Sequence, residues 1–151
     1  APAPPLPNLA EHRWCSGVRP ADLVYLQAYM DQRSYEAGTL IVQRGDAADR
    51  LFFLLRGEVS VVIAREGVGH QRLSTLTAGM GFGELAAFAG GVRSADVRAD
   101  TAVDCWILHR DALARVERER PALALLVMRN LLQSTIEAVR RLTADVAALE
   151  S

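Results

Sequence analysis

Lysine is absent from this sequence: all 17 of its basic residues are arginine. A Walker-type phosphate loop needs a lysine after its glycines, and Schiff-base or lysine-base chemistry needs the amine itself, so those mechanisms drop out together. Cysteine is nearly absent too. Cys15 and Cys105 stand far apart, form no C-x-x-C pair and suggest no disulfide framework. Cys105 lies in the apolar run 103–108 and is expected to be a buried, inert thiol. The three histidines, His12, His70 and His109, are widely spaced and read as surface or loop residues rather than metal ligands. There is no long one-signed charge run. The net charge of -1 offers no basic field for nucleic acid, so direct contact with DNA or RNA is not expected. No apolar run approaches the ~18 residues of a membrane span, and the N-terminal residues do not read as a signal peptide, so a cytoplasmic location is expected.

What is present is the composition of a soluble globule, 50% hydrophobic and 23% charged, with enough residues for one sizeable core. The first residue is not Met, and residues 1–7 are rich in Ala and Pro. We expect a piece of a longer protein, with 1–18 as linker and lead-in and 19–151 as the domain. Apolar residues between Pro20 and Gln32 recur at helical spacing. From 34 to 109 the pattern becomes short apolar runs at 39–42, 51–55, 59–63, 73–76, 95–97 and 103–108, cut by glycine-rich turns. That rhythm predicts an antiparallel jelly-roll barrel, giving an α+β, mainly β fold with an N-terminal helix and two C-terminal helices. Asp111 is placed as the N-cap of a short helix to Arg118, and Pro121 in the first turn of a long one to Leu149. Along that helix Leu125, Met128, Leu132, Thr135, Val139, Leu142, Val146 and Leu149 alternate at steps of three and four, a heptad seam that suits a homodimer.

Between the barrel runs lies the segment with chemistry. Gly79 to Gly83 lead into Glu84-Leu85-Ala86-Ala87-Phe88, and Gly90-Gly91 stop that helix after about two turns. Such a helix is too short to be a scaffold. Its free N–H groups, the dipole and the close approach that glycine permits make an anion nest. Arg93 follows at the lip, placed to grip a phosphate bidentately. Glu84 beside an anion makes sense if it accepts hydrogen bonds from a neutral sugar hydroxyl. The residues alone thus suggest a small phosphorylated sugar derivative.

Phe82-Gly83-Glu84-Leu85-Ala86, a short helix, then Arg93-Ser94-Ala95-Asp96-Val97 resembles the phosphate-binding cassette of cyclic-nucleotide-binding domains. These occur in kinase regulatory subunits, cyclic-nucleotide-gated channels and bacterial catabolite activators. Upstream, Gly45-Asp46, Asp49, the run Leu51 to Leu55 and Gly57-Glu58-Val59 are similar to the family's glycine turn and hairpin. The likeness extends from Tyr35 to Leu149. It implies that Glu84 binds the ribose 2′-hydroxyl and Arg93 the cyclic phosphate. Backbone amides of Leu85, Ala86 and Ser94, next to Gly83, would complete the cradle. Val61 and Ile63 would pack on the base, Phe82 and Leu73 would extend the apolar wall, and the long helix would supply a lid. Ser94 leaves cAMP and cGMP both open as the ligand.

Competing readings carry less of the pattern. Gly81-Phe82-Gly83-Glu84-Leu85-Ala86 also fits a dinucleotide fingerprint, but Gly90-Gly91 cut short the crossover helix it requires. A cupin-like enzyme would need clustered histidines, and no G-x-S-x-G elbow is present. The expected protein is a non-catalytic sensor regulating a catalytic or transport domain of the same chain; bacterial glutaminases, sulfate-type transporters and channels are the candidates. A ligand-free jelly-roll interaction domain is the alternative.

Overall fold

The computed structural model describes residues 8–150, except the side chains of residues 85–87 and 150. Two 3₁₀ turns, Leu9–Glu11 and Arg13–Cys15, precede helix α1, Pro20–Gln27. Eight strands follow: β1 Asp31–Tyr35, β2 Leu40–Val42, β3 Arg50–Arg56, β4 Glu58–Arg65, β5 Gly69–Thr77, β6 Gly81–Phe82, β7 Asp96–Ala99 and β8 Val103–His109. Helix α2, Glu84–Ala89, interrupts them between β6 and β7; α3, Arg110–Glu119, and α4, Pro121–Glu150, close the chain.

The strands form two antiparallel four-stranded sheets, ordered β1-β8-β3-β6 and β2-β7-β4-β5, the expected jelly roll. The two-residue period of a strand assigns the core. On β3, Phe52 and Leu54 point into the barrel with Val59, Phe82, Val97 and Ile107. Leu51, Phe53 and Leu55 point outward and are covered by Leu26, Leu113, Val116, Leu123 and Val127 of the helices. Buried on both faces, β3 reads as one continuous apolar run.

Three boundaries differ from the expected ones. Helix α1 ends at Gln27, and β1 begins at Asp31, where a longer helix and a later barrel were expected. Asp31-Gln32-Arg33-Ser34 are exposed and carry no apolar alternation; the strand exists because β8 pairs with it, from Asp31 opposite Ile107 to Tyr35 opposite Val103. Asp111 lies in the first turn of α3, with His109 at the N-cap and no side-chain cap bond.

The lead-in is largely core. Leu9, His12, Trp14 and Cys15 are all 2% exposed or less. His12, expected at the surface, is buried against Trp14 and Phe53, with ring centroids 5.5 and 5.2 Å away. Trp14 lies so close over Gly81 that an added Cβ there would stand 2.4 Å from the indole ring. Only glycine fits beneath it.

Helix α4 is about 45 Å long at 1.5 Å per residue and has 30 residues. Against the expectation that no apolar run approaches a membrane span, Pro121–Leu149 is long and apolar enough to cross one by length and composition alone, with a mean hydropathy of 1.3 in its most apolar stretch. Its first turns belong to the domain core: Leu123, Ala124, Val127 and Leu131 are buried there. Asn130 donates to the carbonyls of Trp14 and Ser16 at 3.0 and 2.9 Å. The seam residues occupy a neighbouring stripe, and Leu125, Leu132, Val139, Leu142, Val146 and Leu149 are all more than half exposed.

Candidate functional site

Arg93 is the centre of the candidate site. It follows α2 on the extended segment that enters β7, and the turn 43–49 holds that segment in place. The Arg93 N–H donates to the Asp46 carbonyl at 2.8 Å, and its own carbonyl accepts from the Gly45 N–H at 2.9 Å. Ala47 and Val92 bridge beside them, and the Ala48 N–H donates to the Gly91 carbonyl at 3.0 Å. Asp46 caps the turn by accepting from the Gln43 N–H, and Asp96 accepts from the Arg44 N–H. The upstream Gly45-Asp46 motif is therefore the backbone clamp that fixes Arg93, a role its sequence did not disclose.

The Arg93 side chain turns inward and is 6% exposed. One Nη donates to the Arg50 carbonyl at 2.9 Å, and the guanidinium lies 5.9 Å from the centre of the Phe52 ring. Its buried Nε has no hydrogen-bond partner among the described residues. Among the described residues no carboxylate comes within ion-pairing distance of it, although Asp49, Asp46 and Glu84 are near enough to act on its charge. Burial, then the neighbouring Arg50, push its pKa below the ordinary arginine value. A buried cation with spare donors and no paired anion is costly, by several kcal/mol in typical proteins.

Gly83 makes room for this arrangement. Its φ is +94°, and a Cβ would fall 2.4 Å from the Arg50 carbonyl and 2.9 Å from an Arg93 Nη. Glu84 opens α2 next to it, half-buried. Burial raises its carboxyl above the usual range, while its own backbone N–H and the Arg93 charge act in the opposite direction. Phe82, buried, stacks on Phe52 with centroids 4.5 Å apart and planes 8° from parallel, closing the barrel interior behind the cassette.

The other expected residues fall in two groups. Val61 packs, half-buried, against the barrel-interior cluster, and Ile63 is half-buried farther along β4. Their register is interrupted: the β4–β5 pairing slips between Val61 and Val62. Leu73 lies on β5 at that slip, 54% exposed, and packs in neither core cluster. Ser94 is exposed beside Arg93. The backbone places Leu85 and Ala86 in α2, and their side chains lie outside the described residues.

A glycine-bounded helix and a buried arginine thus meet at one point of the jelly roll. The family model described as cyclic nucleotide-binding domain matches residues 32–120, and the chain belongs to that family. Over 144 residues, 95% of this chain and 23% of the relative, it is 38% identical to "Glutaminase 1" of Bradyrhizobium diazoefficiens. Over 94 residues, 62% of this chain and 12% of the relative, it is 34% identical to "cGMP-dependent protein kinase egl-4" of Caenorhabditis briggsae. Among solved structures, a cyclic nucleotide-binding domain from Methylobacillus flagellatus superposes with a TM-score of 0.77 at 30% identity, covering 87% of this chain and 73% of that one. The chain thus spans less than a quarter of the length of those curated relatives. The domain type is regulatory rather than catalytic, and its relatives carry it beside catalytic domains.

Proposed function

We propose that this domain senses cAMP or cGMP and passes the binding event to a catalytic or transport domain of the same chain. The observation that carries this reading is Arg93: a buried residue, 6% exposed, with one Nη anchored to the Arg50 carbonyl, an Nη beside Gly83, and a buried Nε that has no hydrogen-bond partner among the described residues. The cyclic phosphate supplies the missing anion. Glu84, beside it, accepts from the ribose 2′-hydroxyl, and the backbone amides of Leu85, Ala86 and Ser94 complete the cradle. Val61, Ile63 and Phe82 flank the base, with Leu73 reaching it only if β5 closes inward. Ser94, exposed, is open to either purine. The likeness to a glutaminase favours an amide-hydrolysing neighbour as the regulated domain. The reading places the domain in the cytoplasm and gives it no nucleic-acid role.

Titration calorimetry with cAMP and with cGMP, on the wild type and on Arg93→Ala, tests it. Removing a buried charge-assisted contact costs on the order of 2–5 kcal/mol, a loss of roughly thirtyfold or more in affinity. Wild-type protein that binds neither nucleotide refutes the function; unchanged affinity in Arg93→Ala refutes the residue assignment.

A further inference from the structure

Arg50 was given no role by the sequence, yet it stands in the same place as Arg93. It opens β3, whose even-numbered residues, Phe52 and Leu54, point into the barrel interior, and the strand period puts Arg50 on that side. Its guanidinium lies 5.2 Å from the centre of the Phe52 ring, the ring that Arg93 also faces at 5.9 Å. Phe82 is stacked on that same ring. Two guanidinium groups therefore gather at one aromatic plate beside the cassette, and their charges act on each other: Arg50 is the leading charged group lowering the Arg93 pKa. Among the described residues Arg50 pairs with Asp49, 3.4 Å from its Nε and on a side chain 56% exposed, so this ion pair is loosely held in water. The Arg50 side chain itself is 30% exposed and keeps access to solvent.

Two cations held close repel each other, and an anion received between or beside them relieves that repulsion. We infer that Arg50 is a second cation of the ligand site, which exchanges Asp49 for the phosphate of the bound nucleotide. This rests on the cyclic-nucleotide reading and adds to it a binding residue outside the cassette. Arg93 donates the fixed, buried contact. Arg50 supplies a mobile, partly solvated charge that draws the anion in and strengthens its hold. The backbone carbonyl of Arg50, which anchors Arg93, is unaffected by changes to its own side chain.

The experiment compares cAMP and cGMP affinities of the wild type, Arg50→Gln and Arg50→Lys at low and high sodium chloride. A partly exposed cation contributes about 1 kcal/mol, so Arg50→Gln is expected to bind roughly fivefold more weakly at low salt. Its affinity should also depend less steeply on salt, because one screened charge is gone. Arg50→Lys, which keeps the charge but not the planar group over Phe52, should retain the wild-type salt dependence and bind more tightly than Arg50→Gln. Arg50→Gln affinity within about 1.5-fold of the wild type overturns the inference. So does a loss equal at both salt concentrations, or one shared by Arg50→Lys, since either traces to packing. Wild-type protein that binds no cyclic nucleotide removes the reading beneath it, a result distinct from any that sinks Arg50 alone.

Discussion

His12 is held by both ring nitrogens, and only one protonation state satisfies both. Its Nε2 donates to the Met80 carbonyl at 2.8 Å, so its Nδ1 must be the bare nitrogen that accepts from the Trp14 N–H at 3.1 Å. Adding a proton at Nδ1 sets two N–H groups against each other inside a shell of Trp14 and Phe53. Burial, with a smaller contribution from Arg13, depresses the pKa to about 4 despite the opposing Met80 bond. The folded-state value lies below that of the unfolded chain. Stability is therefore intact above about pH 6.5 and declines as the pH falls towards 4, because the unfolded chain takes up the proton first. The loss approaches about 3–4 kcal/mol at its limit, at about 1.4 kcal/mol per pH unit. Urea denaturation of wild type and His12→Gln between pH 7 and pH 4.5 should show a steeper decline in the wild type; parallel curves would remove His12 from the account. The burial of His12 was not legible in the sequence, because its acceptor lies 68 residues away. Arg93 was legible as a candidate, because Gly83, Glu84 and Ser94 crowd into the same short stretch. Arg50 was not, since one arginine before an apolar strand is ordinary until the strand shows which way it points.

Helix α4 carries two apolar stripes with different fates. Leu123, Ala124, Val127 and Leu131 are buried in the domain, whereas the heptad seam beginning at Leu125 faces outward. We propose that a second copy covers the seam. Its last two heptads place Val139 and Val146 at a and Leu142 and Leu149 at d, the side-chain choice that favours two parallel strands. Sedimentation of the wild type should report a dimer, and Leu142→Glu a monomer with an intact barrel by circular dichroism. A wild type that is monomeric at all concentrations would refute the pairing. The seam was readable because heptad spacing is local. Strand β1 was not, because Asp31-Gln32-Arg33-Ser34 become a strand only through β8. The end of α1 was also obscured, since Tyr29 and Met30 continue its apolar period beyond Gln27.

Across the whole molecule, the segment expected to be a lead-in ties distant parts together. Trp14 sits on Gly81, which leads into the cassette, and its carbonyl accepts from Asn130 of α4. The Arg13 N–H donates to the Gly79 carbonyl, and its side chain lies 3.8 Å from Glu137. Cassette, this N-terminal strap and the long helix thus meet at Trp14, the contact through which a shift of the first would reach the last. Trp14→Ala should lower global stability by about 3–5 kcal/mol in urea denaturation, the usual cost of emptying a core aromatic site. A loss below about 1 kcal/mol would return the strap to the status of a linker. The two thiols extend this picture. Cys15 belongs to the helix-side core and Cys105 to the barrel interior, and burial lifts both to a pKa of about 12. Neither reacts while its own compartment is shut. The molecule therefore carries a native chemical clock in each half, and the rates at which a disulfide reagent consumes the two would time the opening of strap and barrel separately.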